Sequence, residues 1–167
     1  MEPENNDVRL HLFCGKAGSG KSTLAREIVK APGAVLISED FWLNALFKEE
    51  LQDVQDYLRC AAKLRTVMQP HILELLGAGM TVVLDYPANT PEMRGWMRNL
   101  VAASDAPHVM HVFDVSDETC FARVQARYAA GKHPFALTEA QFAQLAQHFV
   151  PPASEEGFTV MHHSAAS

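Results

Sequence analysis

The residues with the clearest chemistry stand near the start of the chain. Gly15-Lys16-Ala17-Gly18-Ser19-Gly20-Lys21-Ser22, followed by Thr23, fits the spacing G-x-x-x-x-G-K-[ST]. At average residue frequencies, a chain this long matches that spacing by chance roughly one time in two hundred. Its glycines let the backbone curl so that N–H groups point inward at phosphate oxygens, without a Cβ in the way. The Lys21 ammonium can reach the β- and γ-phosphates of a nucleoside triphosphate, and the Ser22 hydroxyl can ligate Mg²⁺. The segment is therefore expected to bind a nucleoside triphosphate with Mg²⁺.

Three further sets of residues could act on such a ligand. Asp85 closes the apolar run Met80-Thr-Val-Val-Leu-Asp85, and a carboxylate at a strand's carboxyl end can face the Mg²⁺ shell. Its alternative role is to cap a turn before Pro87. Asp40 follows a second apolar run and can take a proton from an attacking hydroxyl, or hold that hydroxyl in place. Glu39 is its rival, and capping a helix is its alternative role. Arg123 and Arg127 are four apart on a predicted helix, so both project from one face. They precede a Gly- and Pro-containing loop with Lys132 and His133, and can stabilise charge on a transferring phosphoryl group. A solvated basic face is the alternative.

Other patterns carry less. Phe41, Trp42 and Phe47 either line an acceptor pocket or belong to the core. The pairs Arg94/Arg98 and Arg59/Lys63 read as solvated helix faces. Eight histidines show no H-x-x-x-H spacing, with His162-His163 in the tail, so histidine ligation of a metal is not expected. Cys14, Cys60 and Cys120 are odd in number and form no C-x-x-C pair, which suggests neither a disulfide framework nor a zinc site.

The elements that must position these residues alternate. Val8 to Cys14 reads as a strand entering the glycine turn, and Leu24, Ala25, Ile28 and Val29 keep helical spacing up to Pro32-Gly33. Ala34 to Ile37 is a second strand, and a helix begins near Phe41. Asp53 caps a long helix that runs to Leu76, which Pro70 is expected to kink or restart. Met80 to Asp85 is a strand. Thr90-Pro91 opens a helix to about Ala103, His108 to Val115 is a fourth strand, and Ser116 caps the next helix. Thr138 with Gln141 makes a capping box for a last helix ended by Pro151-Pro152, and Phe158 to Met161 reads as a final strand. Strands alternating with helices predict a three-layer α/β/α fold around a parallel sheet of about five strands, with a small lid.

The 167 residues suit one domain, 1–167, and 48% hydrophobic composition supports a packed core. The net charge of −6 argues against a broad nucleic-acid surface but permits a local basic groove. The acidic, polar start is unlike a secretory signal, and no apolar run nears the roughly 18 residues that span a bilayer. A cytoplasmic protein, monomeric or dimeric and without a membrane partner, is the expectation.

With these residues in hand, the chain resembles the small kinase-like branch of P-loop ATPases, labelled AAA-family or zeta-toxin-like ATP-binding proteins. That branch is related to the 5′-kinase domain of polynucleotide kinases. The likeness covers nearly the whole chain. It rests on Gly15 to Thr23, Leu36-Ile-Ser-Glu-Asp40, Val82 to Asp85 with Asn89-Thr90-Pro91 and Arg94, Val112 to Val115 with Arg123 and Arg127, and His133-Pro-Phe135. Further on it includes Phe149 to Pro152 and Glu155 to Phe158. The resemblance implies a nucleoside-kinase-like fold and ATP-dependent phosphoryl transfer to a hydroxyl, with Asp40 as general base and Arg123 and Arg127 in the lid. Polynucleotide kinases of this kind carry basic residues around the acceptor aspartate, where this chain has Glu39 and Leu43, so the substrate does not carry over. Lys16 stands where a hydrophobic or small residue is commoner.

The main functional expectation is a kinase for a small-molecule or nucleotide-like acceptor, with polynucleotide 5′-hydroxyls and sugar nucleotides as variants. The rival from another class is an ATP-binding switch that acts on a protein partner. The absence of N-K-x-D disfavours a GTPase, the short chain disfavours an oligomeric motor with a helical lid domain, and the absence of an L-S-G-G-Q-like segment disfavours a transporter ATPase.

Overall fold

Apolar side chains that alternate along β1 (Leu10–Cys14) set the layers. Leu10, Leu12 and Cys14 join the larger core cluster, whereas Phe13 joins a second cluster on the opposite side of the sheet. A strand buried on both faces needs helices above and below it, and the computed structural model supplies them. It describes residues 8–131 and 138–165. Five parallel strands run in the order β2-β3-β1-β4-β5, with β2 at Ala34–Ser38, β3 at Thr81–Pro87, β4 at His108–Asp114 and β5 at Val160–Ser164.

One face carries α1 (Lys21–Ile28), whose Ala25, Leu24 and Ile28 pack on Phe13 and Val83. The other carries α3 (Val54–Gly77) and α4 (Pro91–Ser104), which bring Leu64, Met68, Ile72, Met97 and Leu100 onto Leu12, Leu84 and Met110. Helices α5 (Asp117–Ala129) and α6 (Glu139–Gln147) share a small cluster of Cys120, Phe142 and Val115, joined to the sheet through Phe113. The short α2 (Glu39–Phe47) follows β2 directly. The expected α/β fold with five parallel strands is the observed one.

Capping follows the expected chemistry. The side chains of Asp53, Thr90, Ser116 and Thr138 accept from the backbone N–H three residues on, and Thr138 with Gln141 forms the full capping box.

Three elements differ from expectation. Pro70 does not restart α3, which continues through it; the carbonyl it deprives of a donor belongs to Thr66, which is exposed, so water can serve it. Helix α6 ends at Gln147, four residues before Pro151, so the prolines are not what stops it. The final strand lies later, at Val160–Ser164, because pairing with β4 rather than an apolar run defines it. The expected lid loop at 132–137 lies outside the described residues. Among the described residues, no helix is long and apolar enough to cross a membrane.

Candidate active site

The glycine turn leaves β1 at its carboxyl end and enters α1, as the spacing requires. Gly18 and Gly20 adopt positive φ of 81° and 110°, a backbone that side chains with a Cβ avoid. Gly18 is further constrained by packing: a Cβ there would lie 2.3 Å from the Cys120 carbonyl oxygen. The loop is thus seated directly on α5. It is also clamped from below. Asn89 accepts from the Gly15 N–H (2.9 Å) and donates its amide to the Gly15 carbonyl (2.8 Å).

Lys21 folds back over the loop and donates to the Gly15 and Lys16 carbonyls. Burial pulls its pKa below the ordinary lysine range, with Asp85 acting the other way. An ammonium held over a ring of loop atoms is poised for an anion with several oxygens. Among the described residues, the buried Ser19 hydroxyl of the same loop has no hydrogen-bond partner.

Ser22 donates to Asp85 Oδ2 at 3.1 Å. Burial raises the Asp85 pKa, opposed by the Ser22 bond and the Lys21 charge. A hydroxyl beside a carboxylate suits Mg²⁺, which takes few protein ligands and completes its shell with phosphate oxygens and water. Among the described residues, no group of three or more His, Cys, Asp or Glu side chains converges as a metal cage.

These groups open onto one cleft of about 1080 Å³, lined by loop residues Ala17 to Thr23 and by Asp85, Asp40, Arg123 and Arg127. Asp40 is exposed in it, in the first turn of α2. Ser38 caps that helix by accepting from the Phe41 N–H, so capping is not the part Asp40 plays. Its rival Glu39 points inward, 1% exposed, and accepts from the Tyr57 hydroxyl at 2.7 Å. Phe41 is 68% exposed beside Asp40, whereas Trp42 and Phe47 pack against the core. Arg123 donates to the Gly18 and Ser19 carbonyls at 3.3 and 3.4 Å, and Arg127, one turn further along α5, is exposed at the cleft. Gly15 lies buried behind the loop. The Lys16 side chain turns away to pair with Asp117 and to sit over the Phe149 ring, leaving only its backbone in the loop.

Four residues at or behind the cleft lie outside the set expected to form the site. Arg26 lines it and sits one helical turn beyond Ser22, so the i,i+4 rule alone could have found it. His163 lines it from β5, but its assignment to a tail hid it. Asn89 and Arg94 work from behind. Arg94 is a correction: far from a solvated face, it is 1% exposed and pairs with Glu156 at 2.8 Å. It also donates to the Ala88 and Val150 carbonyls, flanking Asn89.

With this geometry in view, comparison with known proteins places the chain. Residues 10–152 match the family described as an AAA domain. The chain belongs to that family. It is 36% identical over 103 residues to the uncharacterized protein Rv2004c of Mycobacterium tuberculosis, a match covering 57% of this chain and 21% of that protein. The match thus spans about a fifth of that relative's length.

Solved structures share the fold at low identity. A candidate kinase from Chloroflexus aurantiacus superposes with a TM-score of 0.74 at 18% identity, covering 95% of this chain and 88% of that one. A chain of the Pnkp1/Rnl/Hen1 RNA repair complex gives 0.63 at 17%, covering 88% and 45%, and a Janibacter sugar kinase gives 0.62 at 14%, covering 94% and 85%. The AAA-domain chain thus has a P-loop kinase-like fold.

Proposed function

We propose that the chain is an ATP- and Mg²⁺-dependent phosphotransferase that moves the γ-phosphate to a hydroxyl of a small-molecule or nucleotide-like acceptor. The observation that carries this reading is Asp40: an exposed carboxylate in the same cleft as the phosphate loop and the Ser22–Asp85 pair, which nucleotide binding itself does not need. The kinases among proteins of the same fold support it.

In this reading the loop N–H groups and Lys21 hold the β- and γ-phosphates, and Ser22 with Asp85 holds Mg²⁺, which when bound neutralises phosphate charge. Asp40 orients the acceptor hydroxyl and accepts its proton as the new P–O bond forms and the bond to the β-phosphate oxygen breaks, releasing ADP. Arg123 and Arg127 stand where charge spreads over the transferring group.

The test pairs a transfer screen, using labelled ATP against metabolite, nucleoside and oligonucleotide pools, with calorimetry of nucleotide binding. Asp40→Asn is expected to keep Mg·ATP affinity within about threefold and to lose acceptor phosphorylation by about 10²-fold or more. Full transfer by the variant would remove Asp40 from this role. Hydrolysis without any acceptor, equal in both proteins, would favour an ATP-binding switch.

A further inference from the structure

Three histidines form a hydrogen-bonded ladder across β1, β4 and β5. His11 Nδ1 lies 3.1 Å from His111 Nε2, and His111 Nδ1 lies 2.9 Å from His163 Nε2. The ladder climbs diagonally. His11 is paired in register with Val109 and His111 with Met161, so each histidine sits two residues nearer the carboxyl edge than the last. Such diagonal positions share a sheet face and lie within reach of ring side chains. Phe13 stacks on His111 and Phe113 on His163, which holds the rings in place. His11 and His111 are buried at 3% and 4% exposure, whereas the half-buried His163 lines the cleft.

The cleft has a direction. Ser22, Asp85 and Asp40 mark the end where the γ-phosphate and the acceptor meet in the proposed reaction. From the loop it continues the other way, past Phe113 of β4 to His163, Ser164 and Ala165 at β5. A triphosphate seated in the loop therefore extends its nucleoside towards β5.

A neutral imidazole has one donor and one acceptor nitrogen. If His111 donates through one nitrogen, it must accept through the other, so the three rings share a single polarity. Burial keeps the inner two neutral, pulling His11 down to about 4 and His111 to about 3. Among the described residues His163 Nδ1 has no hydrogen-bond partner, and the ladder ties its proton or lone pair to the tautomers of His111 and His11.

We infer that His163 is a nucleotide-recognition residue, presenting Nδ1 to the nucleoside end of the bound triphosphate in one tautomer fixed by His111 and His11. This rests on the phosphate-loop reading above and deepens it: the ladder adds a directional polar contact that a triphosphate without a nucleoside cannot use. His163 touches the ligand; His111 and His11 are positioning residues.

Calorimetry of the full chain with Mg·ATP and with Mg·tripolyphosphate separates the two ends of the ligand. His163→Ala is expected to weaken Mg·ATP by about tenfold, the scale of one net hydrogen bond, and to leave tripolyphosphate unchanged within about twofold. His111→Phe removes the partner nitrogen and should weaken Mg·ATP by about threefold. In ¹⁵N NMR of the imidazoles, wild-type His163 should show one tautomer and the His111→Phe variant a mixture. Unaltered ATP affinity in His163→Ala, or equal loss of both ligands, overturns the inference. A mixed tautomer of His163 in the wild type also overturns it and needs no variant to fold. Lys21→Ala addresses the phosphate loop separately and should weaken both ligands.

Discussion

Glu39 and Asp40 are neighbouring carboxyl groups in different media. Asp40 stands in the open cleft. Glu39 is buried against α3, with one oxygen accepting from Tyr57 and the other, among the described residues, without a partner. Burial raises the Glu39 pKa most; the Tyr57 bond and Arg65 oppose it, and the charges of Asp40 and Asp85 add to it. Of the two, only Asp40 faces the cleft in which an acceptor hydroxyl would stand. The raised value has a consequence for stability. The folded chain keeps the Glu39 proton at pH values where the unfolded chain has lost it, so this group lowers stability as pH rises from the ordinary carboxylate range through its raised pKa. Glu39→Gln abolishes that titration while keeping an acceptor for Tyr57. The variant's Tm should therefore fall less than that of wild type as pH rises above the ordinary carboxylate range, read by thermal melts in matched buffers. Parallel curves would mean that Glu39 ionises alike in the folded and unfolded chain.

At the scale of elements, the phosphate loop is held by segments distant in sequence. Arg94 on α4 ties Ala88, Val150 and Glu156 together, Val150 donates its N–H to the Asn89 carbonyl, and Asn89 grips both polar groups of Gly15. Arg94→Met would leave Glu156 Oε1 and the Ala88, Val150 and Pro151 carbonyls without the guanidinium donor, while Glu156 Oε2 keeps the Ala153 N–H. It is expected to cost about 3 kcal/mol in chemical denaturation. Asn89→Ala touches only the loop, and should weaken Mg·ATP by about tenfold with a smaller stability loss. Comparable stability losses in the two variants would show that Arg94 does no more than Asn89. This clamp also marks where sequence reading stops. The strand, glycine turn and α1 were legible because each signal is local: alternation, glycine spacing, then helical spacing. Arg94 was not, because its i,i+4 neighbour Arg98 suggested a solvated face while its partner Glu156 is 62 residues away. Strand β5 was placed too early for a related reason. Val160-Met161-His162-His163-Ser164 has no long apolar run, and register with β4 makes it a strand. His163 reaches the cleft only through that register.

For the molecule as a whole, charge and ligand stand in tension. The chain carries a net charge of −6, yet its proposed ligand is a polyanion, so attraction must come from the cleft. Lys21, Arg26, Arg123 and Arg127 all line it. Like charges gathered in one cleft repel before the ligand arrives, and the Arg127 charge is among the influences that lower the Lys21 pKa. Arg123 offsets part of this by bonding to two loop carbonyls, and Asp85 answers Lys21. Arg127 is exposed, and among the described residues it has no hydrogen bond or ion pair. Function and stability therefore oppose each other at Arg127. Arg127→Ala is expected to raise the Tm of the free protein by about 1 °C, in the range for a small surface change in a chain of this size. The same change should shrink the Tm increase caused by saturating Mg·ATP, because stabilisation by a ligand grows with its affinity for the folded state. High salt should narrow the difference in free-protein Tm, since exposed charges are screened within about 10 Å. A variant that loses free-protein stability, or gains the full Mg·ATP increment, would show that Arg127 is a solvated surface residue with no share in holding the phosphates.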